Sequence, residues 1–417
     1  MQKRWMTPCV SLPAVALASL LVALPSGSAL GQTEPGLFEQ VRQTVAEHFF
    51  DAKLNGVDWQ ALEGLYRPRI EKAQSQAERA TVINEMLGEL KTSHTRLFTP
   101  EEPAYYQMLG IFLPGNDDLK EALPDVGTRY SGIGIFTEEI EDEVFVRAVL
   151  DGAPAAEAGL LTGDRLIEAD GQPFHAIRSF TGKVGQPVTL LIQRTPDPAS
   201  RQEIIVHPKT LDGRRMFRDA MRSSIEIIER DGRRIGYIHA WSYAGRQYQR
   251  ILEWALLSGR LKDADGLVLD VREGWGGASP NYLNVFTQRS LTMTGSGRDD
   301  NSFSMHSGWS KPVVLLVNQT ARSGKEILAY GFRQLGIGPV VGTTTAGAVV
   351  AGRLFAMDDG SLLYLAVQDV LVDGDRRLEG VGVAPDIEVP FDFAYAQGAD
   401  PQKDRAIEAA LELLRGR

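Results

Sequence analysis

The chain has 417 residues, of which 43% are hydrophobic and 24% are charged, so it is long and apolar enough for two or three cored globular domains. Its formal net charge of -10 offers no basic surface to phosphate backbones or anionic lipids, which excludes nucleic acid as a first partner. The single cysteine, Cys9, lies in the first apolar segment, so the rest of the chain has no thiol for disulfides, thiolate nucleophiles or zinc ligation.

The first thirty residues predict a secretory signal peptide. Lys3 and Arg4 precede an apolar run at residues 10–24, and small residues follow with cleavage expected near Gly31. We therefore expect a signal peptide over 1–31 and a periplasmic or secreted mature protein without a stable membrane span. The alternative is an uncleaved N-terminal anchor, which the short apolar run disfavours.

Residues 32–120 are predicted to form an N-terminal helical domain. Apolar residues recur at helical spacing from residue 37 to about residue 90. Asp58 before Trp59 is typical of a helix N-cap. The last of these helices runs into the polar residues 91–94, which indicates a helix end.

Residues 121–208 contain short β-rich runs interrupted by glycines. The segment GAPAAEAGLLTGDRL at 152–166 resembles the Ala-Gly-Leu-x-x-Gly-Asp pattern of PDZ domains, and residues 130–135 resemble their carboxylate-binding loop. The resemblance implies that backbone N–H groups bind the terminal carboxylate of a polypeptide, which then adds a strand at the sheet edge. In the alternative, neighbouring elements cover the peptide-binding groove, and the PDZ-like module only stabilises the core. The implied peptide-binding residues are Gly132, Ile133, Gly134 and Ile135.

Residues 209–417 predict an α/β layer arrangement. From Ser223 onward strands alternate with helices, with buried strands at 266–270 and 313–317 and a helix at 326–335. The expected fold class is therefore an α/β multidomain protein, with a helical domain, a β domain and an α/β core in that order.

The most informative local pattern is NQTARSGKEI at residues 318–327, which follows a buried strand and opens a helix. A serine at such a junction points its hydroxyl outward, and the free N–H groups of the first helical turn can stabilise an oxyanion. Ser323 is therefore a candidate nucleophile, although a serine in this position is more often a simple helix cap.

Three motifs in order resemble those of tail-specific (C-terminal processing) and tricorn serine peptidases. Ser323 and Glu326 match the nucleophile motif, residues 270–277 resemble the Asp-x-Arg-x-Asn-x-Gly-Gly element, and residues 379–386 resemble the Gly-Val-x-Pro-Asp element. The resemblance implies a crotonase-like protease core that hydrolyses peptide bonds in polypeptide substrates captured by their tails. It implies no cofactor, the histidine spacings indicate no metal site, and a homo-oligomer is left open.

One departure from the family pattern decides the choice of general base. The tail-specific branch uses a lysine in a Thr-Phe-Gly-Lys-Gly element, where this chain has Ala348, which cannot accept a proton. The tricorn branch instead uses an earlier Ser-His pair and a glutamate near the Gly-Val-x-Pro-Asp element, and Ser93, His94 and Glu379 match them. The resemblance implies His94 as general base, oriented by Ser93 and by Glu379 through a hydroxyl.

The N–H groups of Gly276 and Gly324 are the candidate oxyanion donors, with Gly274 in place of the family's usual asparagine. Lys325 is a rival base, but on a helix it would project to another face than Ser323, so we expect an ordinary solvated lysine.

A rival function is a catalytically silent binding or scaffold protein. The missing lysine at Ala348 motivates it, because the core would then have lost its base and the PDZ-like module would act alone. A retinoid-binding-like role, known for relatives of this core, is a third alternative.

Overall fold

The computed structural model describes residues 36–124, 126–287, 291–298 and 302–416. The expected signal peptide over 1–31, with Cys9, lies outside the described residues. Within them, no helix has the length and apolar character that a membrane crossing requires.

The N-terminal region is helical, as its apolar spacing predicts. Asp58 caps one helix by accepting a hydrogen bond from the N–H of Ala61, and Ser75 caps the next by accepting one from the N–H of Glu78. The elements are α1 (Leu37–His48), α2 (Trp59–Lys72), α3 (Gln76–Gly88), β1 (Arg96–Phe98), α4 (Pro103–Phe112) and α5 (Asp117–Ala122).

The middle region is an antiparallel sheet with one short helix. Its elements are β2 (Arg129–Gly132), β3 (Ile135–Ile140), β4 (Glu143–Val149), α6 (Pro154–Glu157), β5 (Arg165–Ala169), β6 (Gln172–Pro173), β7 (Val188–Gln193), β8 (Arg201–Val206) and β9 (Lys209–Asp212). The strand order is β3-β4-β5-β7-β8, β6 pairs with β5, and β2 pairs with β9. β3 is therefore an edge strand, which is where an added peptide strand would pair.

The C-terminal region is an α/β core. Its helices are α7 (Met216–Ser223), α8 (Arg246–Leu257), α9 (Asn284–Thr287), α10 (Gly324–Gln334) and α11 (Pro401–Arg415). Its strands are β10 (Glu226–Arg230), β11 (Arg233–His239), β12 (Gly266–Asp270), β13 (Thr292–Ser296), β14 (Ser302–His306), β15 (Val313–Val317), β16 (Val340–Gly342), β17 (Val350–Ala356), β18 (Leu362–Asp369), β19 (Leu371–Val372), β20 (Arg376–Arg377) and β21 (Ile387–Glu388).

The central sheet of this core has the order β10-β11-β12-β15-β16-β21 and is parallel from β11 onward. β12 and β15 are buried along their whole length, because helices cover both faces of the sheet. Leu267 and Leu269 pack in the hydrophobic cluster that includes α8 and α10, whereas Val268 packs against α11.

The parallel register brings two of the sequence motifs to one edge of the sheet. Asp270, the last residue of β12, lies opposite Leu316 of β15, so the turns that follow the two strands leave the sheet side by side. The turn after β12 carries Gly276, and the turn after β15 carries Ser323. Loops at the carboxyl ends of parallel strands commonly form binding sites.

The N-terminal helices share a hydrophobic cluster with two strands of the C-terminal region. Val41 of α1 and Leu87 of α3 are buried in the same cluster as Leu363 and Leu365 of β18. β1 also pairs with β18 in antiparallel register. The segment between α3 and β1, which contains His94, is therefore fixed against the C-terminal region at both of its ends.

Candidate active site

A cavity of about 1090 Å³ opens between the three regions of the chain. It is large enough for a peptide segment, and it is lined by residues of every region. The predicted site residues that line it are Ser93, His94, Gly132, Ile133, Gly134, Ile135, Gly276 and Ser323. Glu379 and Gly324 lie directly behind this lining and contact its residues.

Ser323 occupies a strained turn between β15 and α10. Its backbone has φ 59° and ψ -130°, a combination that non-glycine residues rarely adopt. The turn is held because the N–H of Ser323 donates to the carbonyl of Ala348 at 2.8 Å and to Oε2 of Glu326 at 3.2 Å. A strained strand-to-helix turn of this kind exposes the hydroxyl of a nucleophilic serine.

Glu326 fixes the loop that faces Ser323. Its Oε1 accepts hydrogen bonds from the Thr345 hydroxyl at 2.6 Å and the Gly347 N–H at 2.7 Å, and its Oε2 accepts from the Ala348 N–H at 2.7 Å. Burial raises the pKa of Glu326, while these hydrogen bonds lower it. The position where the tail-specific branch has a lysine therefore lies beside Ser323, and in this chain it presents only the methyl group of Ala348 to the cavity.

A chain of hydrogen bonds orients His94. Its Nδ1 lies 2.8 Å from the Ser93 hydroxyl, which donates to Oε2 of Glu379 at 2.9 Å. Oε1 of Glu379 also accepts from the Ser93 N–H at 2.8 Å, and its Oε2 accepts from the Val349 N–H at 2.6 Å. Glu379 thus contacts the Ser93 hydroxyl and not the imidazole, in the arrangement that the sequence predicts.

These hydrogen bonds determine which ring nitrogen of His94 carries the proton. An ionised carboxylate can only accept hydrogen bonds, so the Ser93 hydroxyl uses its proton toward Glu379 and must accept from Nδ1–H of His94. We infer that Nε2 carries the free lone pair, which is the state a general base needs. His94 and Ser323 line the same cavity without a direct hydrogen bond, and such contacts often tighten only when substrate binds.

The surroundings of His94 keep its imidazole neutral. Burial, and then the positive charge of Arg322, lower the pKa of His94 from 6.5 to about 4. The ring of Tyr364 packs against it with the ring centroids 5.1 Å apart. The imidazole is therefore in its deprotonated form at neutral pH.

Gly276 and Gly324 bring two backbone segments into contact beside Ser323. A Cβ atom on Gly276 would lie 2.6 Å from the carbonyl oxygen of Arg322, and one on Gly324 would lie 2.3 Å from the nitrogen of Ala278, so neither position accepts a side chain. Within the described part of the chain, neither glycine N–H donates a hydrogen bond to another group. Both donors are thus free for an oxyanion.

The expectation of a solvated Lys325 is wrong. Its side chain is fully buried, and its Nζ donates to the carbonyl oxygens of Glu273 at 2.6 Å, Trp241 at 3.2 Å and Arg272 at 3.4 Å. Burial lowers the pKa of Lys325 to about 7, although the charges of Asp270 and Glu273 act to raise it. The side chain extends from the first turn of α10 to the carbonyl oxygens of Arg272 and Glu273, so the lysine holds the turn that leads to Gly276.

The predicted carboxylate-binding loop borders the same cavity. The carbonyl oxygens of Ile133 and Gly134 accept hydrogen bonds from Ala155 and Leu150, both at 2.9 Å. The N–H groups of Ile133 and Gly134 donate to no acceptor among the residues that the structure describes. They are available for a peptide carboxylate, as in the backbone concavities that bind anions.

Among the residues that line the cavity, sequence reasoning did not single out Arg322 or Tyr364. The only signal for Arg322 was a basic residue directly before the candidate nucleophile. Tyr364 lies in β18, outside every motif, and only the packing of β18 under the segment after α3 brings it to His94. Among the described residues, no group of histidine or carboxylate side chains is arranged to hold a metal ion.

Comparison with known families identifies each of the three regions. Residues 234–389 match Peptidase family S41, residues 32–88 match the Tricorn protease C1 domain, and residues 131–200 match the PDZ domain. The core of this chain thus matches the model of Peptidase family S41 over most of its length. The recognition of a tail-specific and tricorn-like peptidase with a PDZ domain is confirmed, and so is the predicted fold class of a helical N-terminal region, a PDZ domain and an α/β protease core.

Individual relatives match nearly the whole length of this chain. The chain is 26% identical over 393 residues to tricorn protease homolog 1 of Streptomyces coelicolor, a match covering 91% of this chain and 35% of that protein. It is 27% identical over 415 residues to a carboxyl-terminal-processing protease of Synechocystis, covering 93% of this chain and 89% of that protein. The chain thus spans about a third of the length of the tricorn homologues of Streptomyces coelicolor that it matches.

Two solved structures share the fold. The crystal structure of the tricorn protease matches with a TM-score of 0.54 and 20% identity, over 91% of this chain and 36% of that one. The structure of mature CPAF complexed with lactacystin matches with a TM-score of 0.51 and 12% identity, over 91% of this chain and 99% of that one. Both support the arrangement of the three regions.

The buried position of Lys325 generates a stability prediction. Lys325→Met keeps the length of the side chain but leaves three buried carbonyl oxygens without their donor, so we expect a loss of about 3 kcal/mol in the free energy of unfolding. Urea unfolding followed by circular dichroism measures it. The matched control is Lys183→Met, because Lys183 is paired with Asp170 near the surface and should change stability by only about 0.5 kcal/mol. Equal stability of the two variants would contradict the anchoring role of Lys325.

Proposed function

We propose that this chain is an exported serine peptidase that hydrolyses peptide bonds, with Ser323 as nucleophile and His94 as general base. The observation that carries the proposal is the hydrogen-bond chain from Glu379 through Ser93 to His94, which ends in the cavity that Ser323 lines. The family of the core supports a peptidase. We propose export because residues 1–31 have the composition of a signal peptide. An exported protein would be periplasmic or secreted.

The proposed reaction follows from the tautomer of His94. Nε2 takes the proton of the Ser323 hydroxyl as Oγ attacks the carbonyl carbon of the substrate. The N–H groups of Gly276 and Gly324 stabilise the negative charge that forms on the carbonyl oxygen. The imidazolium then gives its proton to the leaving amine, the acyl-enzyme forms, and water hydrolyses it with the same base.

Ser93 and Glu379 act on the imidazolium. A partly desolvated imidazolium is costly unless it is compensated, and the charge of Glu379 acts on it through the Ser93 hydroxyl. Ser93 therefore serves as a positioning residue that keeps Nδ1 protonated throughout the reaction. Lys325 has no such role, because its Nζ contacts three carbonyl oxygens and not Ser323.

The PDZ domain supplies the proposed means of substrate capture. The open N–H groups of Ile133 and Gly134 border the cavity that holds Ser323, so a polypeptide tail bound there is close to the nucleophile. The relative from Synechocystis is named a carboxyl-terminal-processing protease. We propose that this chain likewise acts on polypeptides that it captures by their C-terminal tails.

Substitution of the proposed nucleophile and base tests the function. We expect Ser323→Ala to abolish cleavage of casein, and His94→Ala to reduce its rate about 10²- to 10⁴-fold, because the hydroxyl loses its proton acceptor. Cleavage is followed by gel electrophoresis and by release of soluble peptides, with circular dichroism to verify the fold. His48→Ala, in which the histidine is partly exposed on α1, is the matched control and should retain full activity.

Each outcome of that experiment has one meaning. Undiminished turnover by Ser323→Ala would refute the nucleophile, and full activity of His94→Ala would refute the base. A folded parent protein that binds peptides but cleaves none would instead support the catalytically silent binding protein.

The lowered pKa of His94 predicts an unusual pH dependence. A base is active in its deprotonated form, so kcat/KM should stay high as the pH falls below the ordinary histidine value of 6.5 and should decline around pH 4. A fluorogenic peptide assayed from pH 3.5 to 8, with the fold checked at each pH, measures this limb. An acid limb centred near pH 6.5, with the fold intact, would show that the imidazole is not held neutral.

A further inference from the structure

The Arg322 guanidinium lines the active-site cavity directly before the proposed nucleophile, and the residue is partly buried. Within the described part of the chain it forms no ion pair and donates no side-chain hydrogen bond. It lies over the ring of Trp275, whose centroid is 5.9 Å from Cζ of Arg322. Partial desolvation of a cation without an ion-pair partner is unfavourable, so such a group in a cavity points to a ligand of opposite charge.

The neighbouring carboxylates Glu273 and Glu326 act on Arg322 only at a distance, because their oxygens accept hydrogen bonds from other groups. Glu273 accepts from Nε of Arg147 at 2.8 Å and from Nδ2 of Asn318 at 3.1 Å. Glu326 accepts the hydrogen bonds that fix the loop opposite Ser323. A guanidinium keeps its proton at neutral pH, so the positive charge in the cavity persists.

The other two arginines that line the described cavity differ from Arg322. Arg96 pairs with Glu102 at 2.8 Å, and Arg147 pairs with Glu273 at 2.8 Å. Their charges are therefore compensated within the protein. The contrast singles out Arg322 as the cavity arginine that is free to receive a ligand.

We propose that Arg322 forms a carboxylate-binding subsite next to the scissile bond of the substrate. This proposal rests on the proposed function of Ser323. A guanidinium matches a carboxylate with two parallel N–H···O hydrogen bonds, which gives both affinity and orientation. Since Arg322 directly precedes Ser323, a carboxylate bound there belongs to a part of the substrate close to the attacked carbonyl.

Two sources supply that carboxylate chemistry. One is the terminal α-carboxylate of a substrate cut close to its end, and the other is an aspartate or glutamate side chain beside the cut. In both cases the subsite is separate from the loop at 132–135, because it involves a side chain of the S41 core and not the backbone of the PDZ domain.

A carboxylate in this subsite also affects the proposed base. The positive charge of Arg322 disfavours protonation of His94, as the lowered pKa of His94 reflects. A bound carboxylate offsets that charge, so the imidazolium forms more readily when the correct substrate is present. Substrate recognition and proton transfer are thereby linked through one side chain.

Peptide binding to the full chain carrying Ser323→Ala tests the subsite without turnover. The first probe pair is acetyl-Ala-Ala-Ala-Ala as the free acid and as the C-terminal amide. The second pair is acetyl-Ala-Glu-Ala-Ala-amide and its glutamine counterpart. Isothermal titration calorimetry gives each Kd, in the parent and with Arg322→Gln, Arg322→Lys or Arg96→Gln added.

We expect a carboxylate preference in at least one probe pair that falls about tenfold or more with Arg322→Gln, because a charge-assisted pair is lost. Arg322→Lys should keep part of the preference, and Arg96→Gln should keep all of it. Loss in the first pair identifies the terminal carboxylate, and loss in the second identifies a side chain. A preference that Arg322→Gln leaves unchanged in both pairs would overturn the subsite.

This binding experiment separates the subsite from the proposed function. If the unsubstituted protein cleaves no casein but Arg322→Gln removes the carboxylate preference in the Ser323→Ala background, the peptidase proposal fails and the subsite stands. If casein is cleaved and Arg322→Gln leaves the carboxylate preference unchanged, the subsite fails and the peptidase proposal stands.

Discussion

The site depends on the hydrogen bonds between Glu379 and Ser93, which join two segments 286 positions apart in the chain. They bind Glu379 to both the N–H and the hydroxyl of Ser93, so a single carboxylate fixes the backbone and the side chain that precede His94. These hydrogen bonds can form because α1 and α3 pack against β18 in one hydrophobic cluster, which holds the N-terminal helices against the core. Loss of packing in that cluster would therefore disturb the position of His94 more directly than it would disturb the central sheet.

The first turn of α10 organises the opposite side of the site. Two successive side chains leave it in different directions, with Lys325 anchoring the turn that leads to Gly276 and Glu326 anchoring the loop at Ala348. Both anchors are buried, so their hydrogen bonds form in surroundings where an unpaired group is costly. The strained backbone of Ser323 persists because both of its neighbouring loops are fixed in this way.

Sequence reasoning predicted the order and type of the three regions, because glycine-rich motifs and apolar spacing are local signals. It also selected Ser93, His94 and Glu379 through the family resemblance, and the structure brings them together, although their catalytic roles stay predictions. It failed for Lys325, because the direction of a long side chain depends on the acceptors that the tertiary fold places within reach. It missed Arg322 for a related reason, since the absence of an ion-pair partner is a property of spatial neighbours and not of the sequence.

Nitrogen-15 NMR of the histidine side chains tests the central claim most directly. The chain has six histidines, and comparison with His94→Gln assigns the signals of His94. Our account predicts a neutral imidazole at pH 7 with the proton on Nδ1 and a free lone pair on Nε2, and a change of that pattern in Ser93→Ala. A proton on Nε2 would contradict the series of hydrogen bonds that orients the proposed base. So would nitrogen signals of His94 that stay the same in Ser93→Ala.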